Sequence, residues 1–266
     1  MKKLAGGLTT LMVGLMLFSS NLWAEETMAP AEPKNVMTQE APDVLTYAEA
    51  LIEAGGMANC KKALDLCTEA VKKDPQNFRA NWITAKACRE YGNEAKKAEV
   101  KDWEDICKVQ GKAGMNYAEK AKEMDPSKVE GHYWYGMNVG IYSDGVSILT
   151  ALKEGLKDKT QNSFETAYKI NKTYDKGGPI GALGRFWQVL PWPLNDNDKS
   201  MAYFREFQKT EFFKDPETVE AHVYFAELLM DSRKTKEEAK VMLEEAIKMT
   251  DEKYWQKKAQ ALLDDM

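Results

Sequence analysis

The stretch Glu119–Gly136, EKAKEMDPSKVEGHYWYG, decides the fold, because its spacing of small residues and proline recurs elsewhere in the chain. Ala121 is followed by Pro126 five residues on and by Gly136 fifteen residues on. Ala70, Pro75 and Ala85 repeat those offsets, and Ala63 stands seven residues before Ala70. Near the C-terminus Pro216 and Ala226 repeat the step from proline to small residue, and Ala239 and Ala246 repeat the alanine pair. Small residues at such offsets let two helices cross closely, and a proline ends one helix and opens the next.

Three occurrences with bulky apolar residues between them form a tetratricopeptide signature. The predicted fold is all-α: antiparallel helix pairs stacked into an irregular α-solenoid. Asp43 or Thr46 caps a first helix that Gly55-Gly56 ends, and Asn59 can cap the next. Pro75 turns the chain into a helix closed by Gly92, and one long helix is expected from Lys97 to Met124. Further helices are expected over 130–142, 146–156, 163–170 and from Pro179 to Leu190, where Pro191 and Pro193 break the run. Helices over 200–213, 220–230, 236–250 and 252–263 complete the array, the last as a capping helix. No stretch alternates with period two between turn signals, so no sheet is expected.

The composition, 44% hydrophobic and 30% charged, is that of a globular chain. The net charge of −5 and the absence of a basic block exclude a nucleic-acid footprint. Lys2 and Lys3, the apolar run Leu4–Phe18 and Leu22-Trp23-Ala24 read as a secretory signal cleaved before Glu25. The competing reading is an uncleaved anchor, but a run of about 15 residues is short for a spanning helix. No cysteine follows the run closely, the first being Cys60, so a lipid anchor is not indicated. The expected organisation is a signal peptide over 1–24, a flexible linker over 25–42 and a tetratricopeptide-like domain over 43–266, with a periplasmic location and no stable membrane anchor after cleavage.

EGHYWYG, SDGVSILTALKEG, TYDKGGPIGALGRFW and the LPWPLND turn, between about Tyr117 and Phe207, together resemble the T-component of TRAP transporters, a family of periplasmic tetratricopeptide-like proteins. The resemblance is most specific around Gly177–Asp196. It implies an all-helical body that engages a periplasmic solute-binding protein, an internal ligand cleft and self-association into a homo-oligomer.

The residues themselves offer little catalytic chemistry. His132 and His222 occupy equivalent repeat positions, four before the small Gly136 or Ala226, where packing against a neighbouring helix is the expected role. Neither has carboxylate or cysteine partners at ligand spacing, so no metal site is expected. Gly177, Gly178, Gly181 and Gly184 lack the Gly-Lys-Ser/Thr ending of a phosphate loop and read as a tight turn with close helix contact, Gly178 being the candidate for positive φ. Cys60, Cys67, Cys88 and Cys107 are an even number in an exported chain, which suggests a disulfide with Cys88 at one end; buried free thiols are the alternative. No nucleophile elbow or H-E-x-x-H motif is present, so the chain is read as not an enzyme, with no cofactor.

Counting from the small residue of each repeat, Trp82, Lys86 and Arg89 should face the concave groove, followed by Tyr133 and Met137, by Arg185 and Gln188, and by Val223 and Glu227. Trp192 marks the irregular segment. Arginine and lysine mixed with tryptophan and tyrosine on one face suit an extended peptide or a small acidic ligand. The function expected is a non-catalytic periplasmic repeat scaffold that binds a protein partner or small ligand in its groove, as an accessory to TRAP-type solute uptake. The alternative is a structural adaptor for envelope protein assembly with no ligand of its own.

Overall fold

In the computed structural model the described residues are 43–266; the expected signal peptide and linker lie outside them. Asp43, and not Thr46, caps the first helix, accepting from the amides of Leu45 and Thr46 at 3.4 and 3.3 Å. That helix, α1 (Val44–Ala54), stops at Gly55, and α2 (Met57–Lys73) follows after Gly56. Both glycines hold positive φ, 66° and 81°, which bulkier residues adopt at a cost. Asn77 caps α3 (Phe78–Lys97) through the Ala80 amide at 2.9 Å.

The remaining helices are α4 (Trp103–Met124), α5 (Val129–Val146), the short α6 (Ile148–Lys153), α7 (Leu156–Asn171), α8 (Tyr174–Val189), α9 (Asn197–Phe207), α10 (Val219–Met230), α11 (Lys236–Met249) and α12 (Lys253–Asp264). No strand occurs among the described residues. Neighbours pack as α1 with α2, α3 with α4, α5 with α7, α8 with α9 and α10 with α11, and α12 packs on α11 as the expected cap. The array is an all-α tetratricopeptide-like solenoid.

Apolar burial is serial. An N-terminal core around Leu64, Ile83 and Cys88 is followed by a central one around Trp134, Phe164 and Leu183, then by a C-terminal one around Phe225, Leu229 and Leu243. Each helix pair has one apolar stripe and buries it against the next pair, which is why single repeats cannot stand alone. The small residues that announced the repeats, Ala85, Gly136 and Ala226, are all buried. A Cβ on Gly136 would lie 2.3 Å from the Phe164 ring, so α7 crosses α5 where only glycine fits.

Two expectations about the first half are corrected. Gly92 does not close α3; it is buried inside the helix, where a Cβ would come within 2.7 Å of Ile141 Cγ2. The long helix over 97–124 is broken at 98–102, where Glu99 takes φ 50° and the chain turns before Trp103. The 146–156 segment is also shorter than expected: Ser147 at φ 92° leaves only the short α6 before α7 begins.

Candidate functional site

The first helices of the pairs, α1, α3, α5, α8 and α10, turn their inner faces with α12 toward a cleft of about 770 Å³. Its lining is divided by chemistry. Met137, Leu152, Leu156, Phe164, Phe186 and Leu190 supply an apolar part from α5 to α8. Lys86, Arg89, Glu90, Asp175, Glu220 and Lys258 supply charge from α3, α8, α10 and α12.

Of the residues expected to face the groove, Lys86, Arg89, Tyr133, Met137 and Arg185 line this cleft. The two arginines are not free to clamp a ligand. Arg89 Nη1 donates to both carboxylate oxygens of Glu90 at 2.8 and 2.9 Å, and Nη2 reaches Glu220 at 3.2 Å. Arg185 donates to Glu227 at 2.7 Å and to Gln188 at 2.9 Å, and its guanidinium lies 3.8 Å over the Tyr224 ring. Tyr133 is only 4% exposed, held edge-on by Trp134 and Tyr174, and so supports the wall more than it presents a surface.

Three groove assignments are corrected outright. Trp82 is half-buried and packs between the N-terminal and central cores, outside the cleft lining. Gln188 donates to the Tyr224 carbonyl at 3.1 Å and ties α8 to α10. Val223 is fully buried in the C-terminal core, because the α10 stripe turns it away from the groove. Trp192 stands in the irregular segment as expected, on the turn after α8, 87% exposed and outside the cleft lining.

The tight turn expected at Gly177 and Gly178 is present but begins two residues earlier, spanning Asp175–Gly177. All three residues take left-handed backbone angles, φ 48°, 56° and 79°, and break α8 within its first turn. Lys176 anchors the break through ion pairs to Asp215 at 2.9 Å and Glu217 at 2.7 Å. Asp175 is left lining the cleft beside the Tyr133 hydroxyl and Lys86; burial raises its pKa, and Lys86 only partly opposes the shift. Gly177, not Gly178, holds the positive φ. Gly178 is required for space: a Cβ there would lie 2.3 Å from the Tyr133 hydroxyl oxygen.

The α3 end of the second helix pair meets the C-terminal helices through long side chains. Arg89 of α3 reaches Glu220 of α10, Lys97 reaches Glu252 at 2.7 Å, and Glu99 accepts from Lys257 of α12 at 3.0 Å. These partners are 131 and 158 residues apart at the first and last of the three contacts.

The histidines are structural, as their repeat positions suggested. His132 Nε2 lies 2.9 Å from the Pro126 carbonyl. His222 Nδ1 faces the Thr218 carbonyl at 3.3 Å, and its ring stacks on Phe213 at 3.9 Å. Among the described residues no cluster of metal-ligating side chains occurs. The cysteines correct the disulfide expectation: Cys60, Cys67, Cys88 and Cys107 are all free and buried. Cys107 Sγ sits 3.3 Å from the Gly92 carbonyl, and burial pushes the thiols of Cys60, Cys67 and Cys88 up to about 12.

A thermophilic TPR protein of Thermus thermophilus, TTC0263, has 17% identity and a TM-score of 0.59 over 83% of this chain and 97% of its own. YrrB, described as a TPR protein with an unusual peptide-binding site, has 14% identity and a TM-score of 0.42 over 83% and 90%. The first likeness shows the tetratricopeptide fold, and no enzyme family is indicated. No curated protein matches. The family model described as regulator of microtubule dynamics protein 1-3 matches residues 44–178, from α1 through the left-handed break, and since that is just over half of the 266 residues the chain belongs to this family.

Proposed function

We propose that the protein is a non-catalytic repeat scaffold that takes an extended protein segment or small ligand into its concave cleft. The supporting observation is the cleft itself, about 770 Å³, open, and lined partly by apolar and partly by charged side chains. Tetratricopeptide-like folds serve protein–protein interaction, and the inner faces of their first helices form the usual concave surface.

Gly181 gives a clean test. It lines the cleft, and a Cβ there would meet nothing closer than Ala221 Cβ at 3.8 Å. Gly181→Trp therefore starts from a position with room for a Cβ and sends an indole into the cleft. A partner captured by the wild-type protein should be lost by Gly181→Trp and kept by Trp192→Ala. Equal capture by all three would move recognition to the outer surface.

The finer proposal is a periplasmic scaffold accessory to TRAP-type uptake, which rests on the signal-like residues 1–24 and on Gly177–Asp196. The family description speaks instead of microtubule dynamics. Cell fractionation and intact mass separate the two. A periplasmic protein beginning at Glu25 that co-purifies with a solute-binding protein supports the uptake role, and a cytosolic protein with an intact N-terminus refutes it.

A further inference from the structure

We propose that the ion pairs between α3 and the C-terminal helices form a salt-sensitive gate in one wall of the cleft, which parts to let an occupant enter sideways. The proposal rests on the cleft-binding reading for what passes the gate, not for the opening itself.

Helix packing does not seal this wall. α3 packs along α2, α4 and α5, while α12 packs along α10 and α11. Their apolar side chains go to different cores: Ile83 and Cys88 of α3 to the N-terminal one, Val223 of α10 and Trp255 of α12 to the C-terminal one. What spans the gap is charge. Arg89 Nη2 reaches Glu220 at 3.2 Å and Lys97 reaches Glu252 at 2.7 Å, and all four residues line the cleft. Lys257 and Glu99, at 3.0 Å, continue the row beyond the lining.

The second partners of these residues allow the wall to part. Arg89 holds both oxygens of Glu90, the next residue of its own helix, at 2.8 and 2.9 Å. Lys97 also holds Glu94, again on α3, at 3.2 Å. Across the gap, Glu220 accepts from the Tyr224 hydroxyl of α10 at 2.9 Å. Each inner partner therefore keeps a bond on its own side when the wall parts. Glu252, Glu99 and Lys257 are 48%, 63% and 74% exposed and return to water. Stranding a buried charge is what makes an ion pair hard to break, and no charge is stranded here. Ion pairs that water reaches are weak and screened by salt. No single hinge is needed, because the curvature of a repeat array is a sum of small rotations shared among its units.

The two states admit different occupants. A small molecule or a free chain end needs no parted wall. A segment with folded domains on both sides cannot thread end-first and has to be laid in sideways.

Gly181→Cys places a thiol in the cleft where a Cβ has room. Cys60, Cys67, Cys88 and Cys107 are buried and stay silent. The thiol of the full chain is reacted with N-ethylmaleimide and with a maleimide carried on dextran, and the ratio of bulky to small rates measures how far the wall admits bulk. Both reagents are uncharged, and Val241→Cys, at an exposed position of α11, supplies the ratio at an unobstructed site. Raising salt should lift the ratio at position 181 by about fivefold. Glu220→Gln combined with Glu252→Gln and Lys257→Gln should lift it as much at low salt and leave salt little to add. A ratio that neither salt nor the triple variant changes overturns the gate, and so does a triple variant that keeps the full response to salt. The cleft reading is decided separately by Gly181→Trp. Partner loss there with an unchanged ratio keeps the cleft and removes the gate, whereas an altered ratio with capture unaffected keeps the gate and removes the cleft as the binding site.

Discussion

His132 Nε2 lies 2.9 Å from the carbonyl oxygen of Pro126, six residues before it, and closes the turn between α4 and α5. Asn81 stands at the same distance in sequence from Pro75 and donates to its carbonyl at 3.1 Å. Equivalent repeat positions thus use different side chains for one bond. His132→Asn should keep most of the stability, while His132→Ala should lose about 1 kcal/mol. Urea unfolding of the two variants checks this; equal losses would show that ring volume, not the bond, is what matters.

Gly178 has no room for a side chain because the Tyr133 hydroxyl occupies the space. Gly178→Ala should destabilise by about 1–3 kcal/mol. Tyr133→Phe removes the obstructing oxygen, so the double variant should recover part of the loss. Additive losses in the double-mutant cycle would mean that the clash is relieved elsewhere.

The cross-cleft ion pairs differ in value with burial. Arg89 is mostly buried, and Glu220→Gln leaves it with Glu90 alone, a change expected to cost about 1–2 kcal/mol. Lys257 and Glu99 are 74% and 63% exposed, so Lys257→Ala should change stability by no more than about 0.5 kcal/mol. Thermal melts at low and high salt distinguish them, and a larger effect from Lys257→Ala would reverse the order.

Burial under Phe213 lowers the pKa of His222 from its ordinary 6.5, despite the Thr218 carbonyl. The unfolded chain then takes up a proton before the folded one. The contribution is whole above 6.5 and is lost as pH falls from there toward the folded value. Stability should decline across that window, and His222→Gln should flatten the decline. An unchanged profile in the variant would place the pH dependence on other groups.

The fold was legible because helix pairing leaves a local record. Ala121, Pro126 and Gly136 encode a crossing, a break and a second crossing within sixteen residues, and periodic apolar stripes do the rest. Breaks made by ordinary residues left no such record. Glu99 and Asp175 take left-handed angles under tertiary constraint, not by propensity, so the break in the 97–124 helix was missed and the turn at Gly177 was expected to begin two residues too late. Counting along the repeat found Lys86, Arg89, Met137 and Arg185 in the cleft but could not show that the arginines are already paired. Lys258 was missed because α12 stands outside the repeat register, so counting from a small residue never reaches it.

An open stack of repeats frays from either end independently, since each unit feels only its neighbours. Here Arg89, Lys97 and Glu99 hold hands with Glu220, Glu252 and Lys257, so the stack is clasped like a bracelet. Local unfolding at one terminus should therefore be sensed at the other: deleting α12 ought to speed amide exchange in the last turns of α3, some 150 residues away in sequence, more than in α7, which is nearer along the chain.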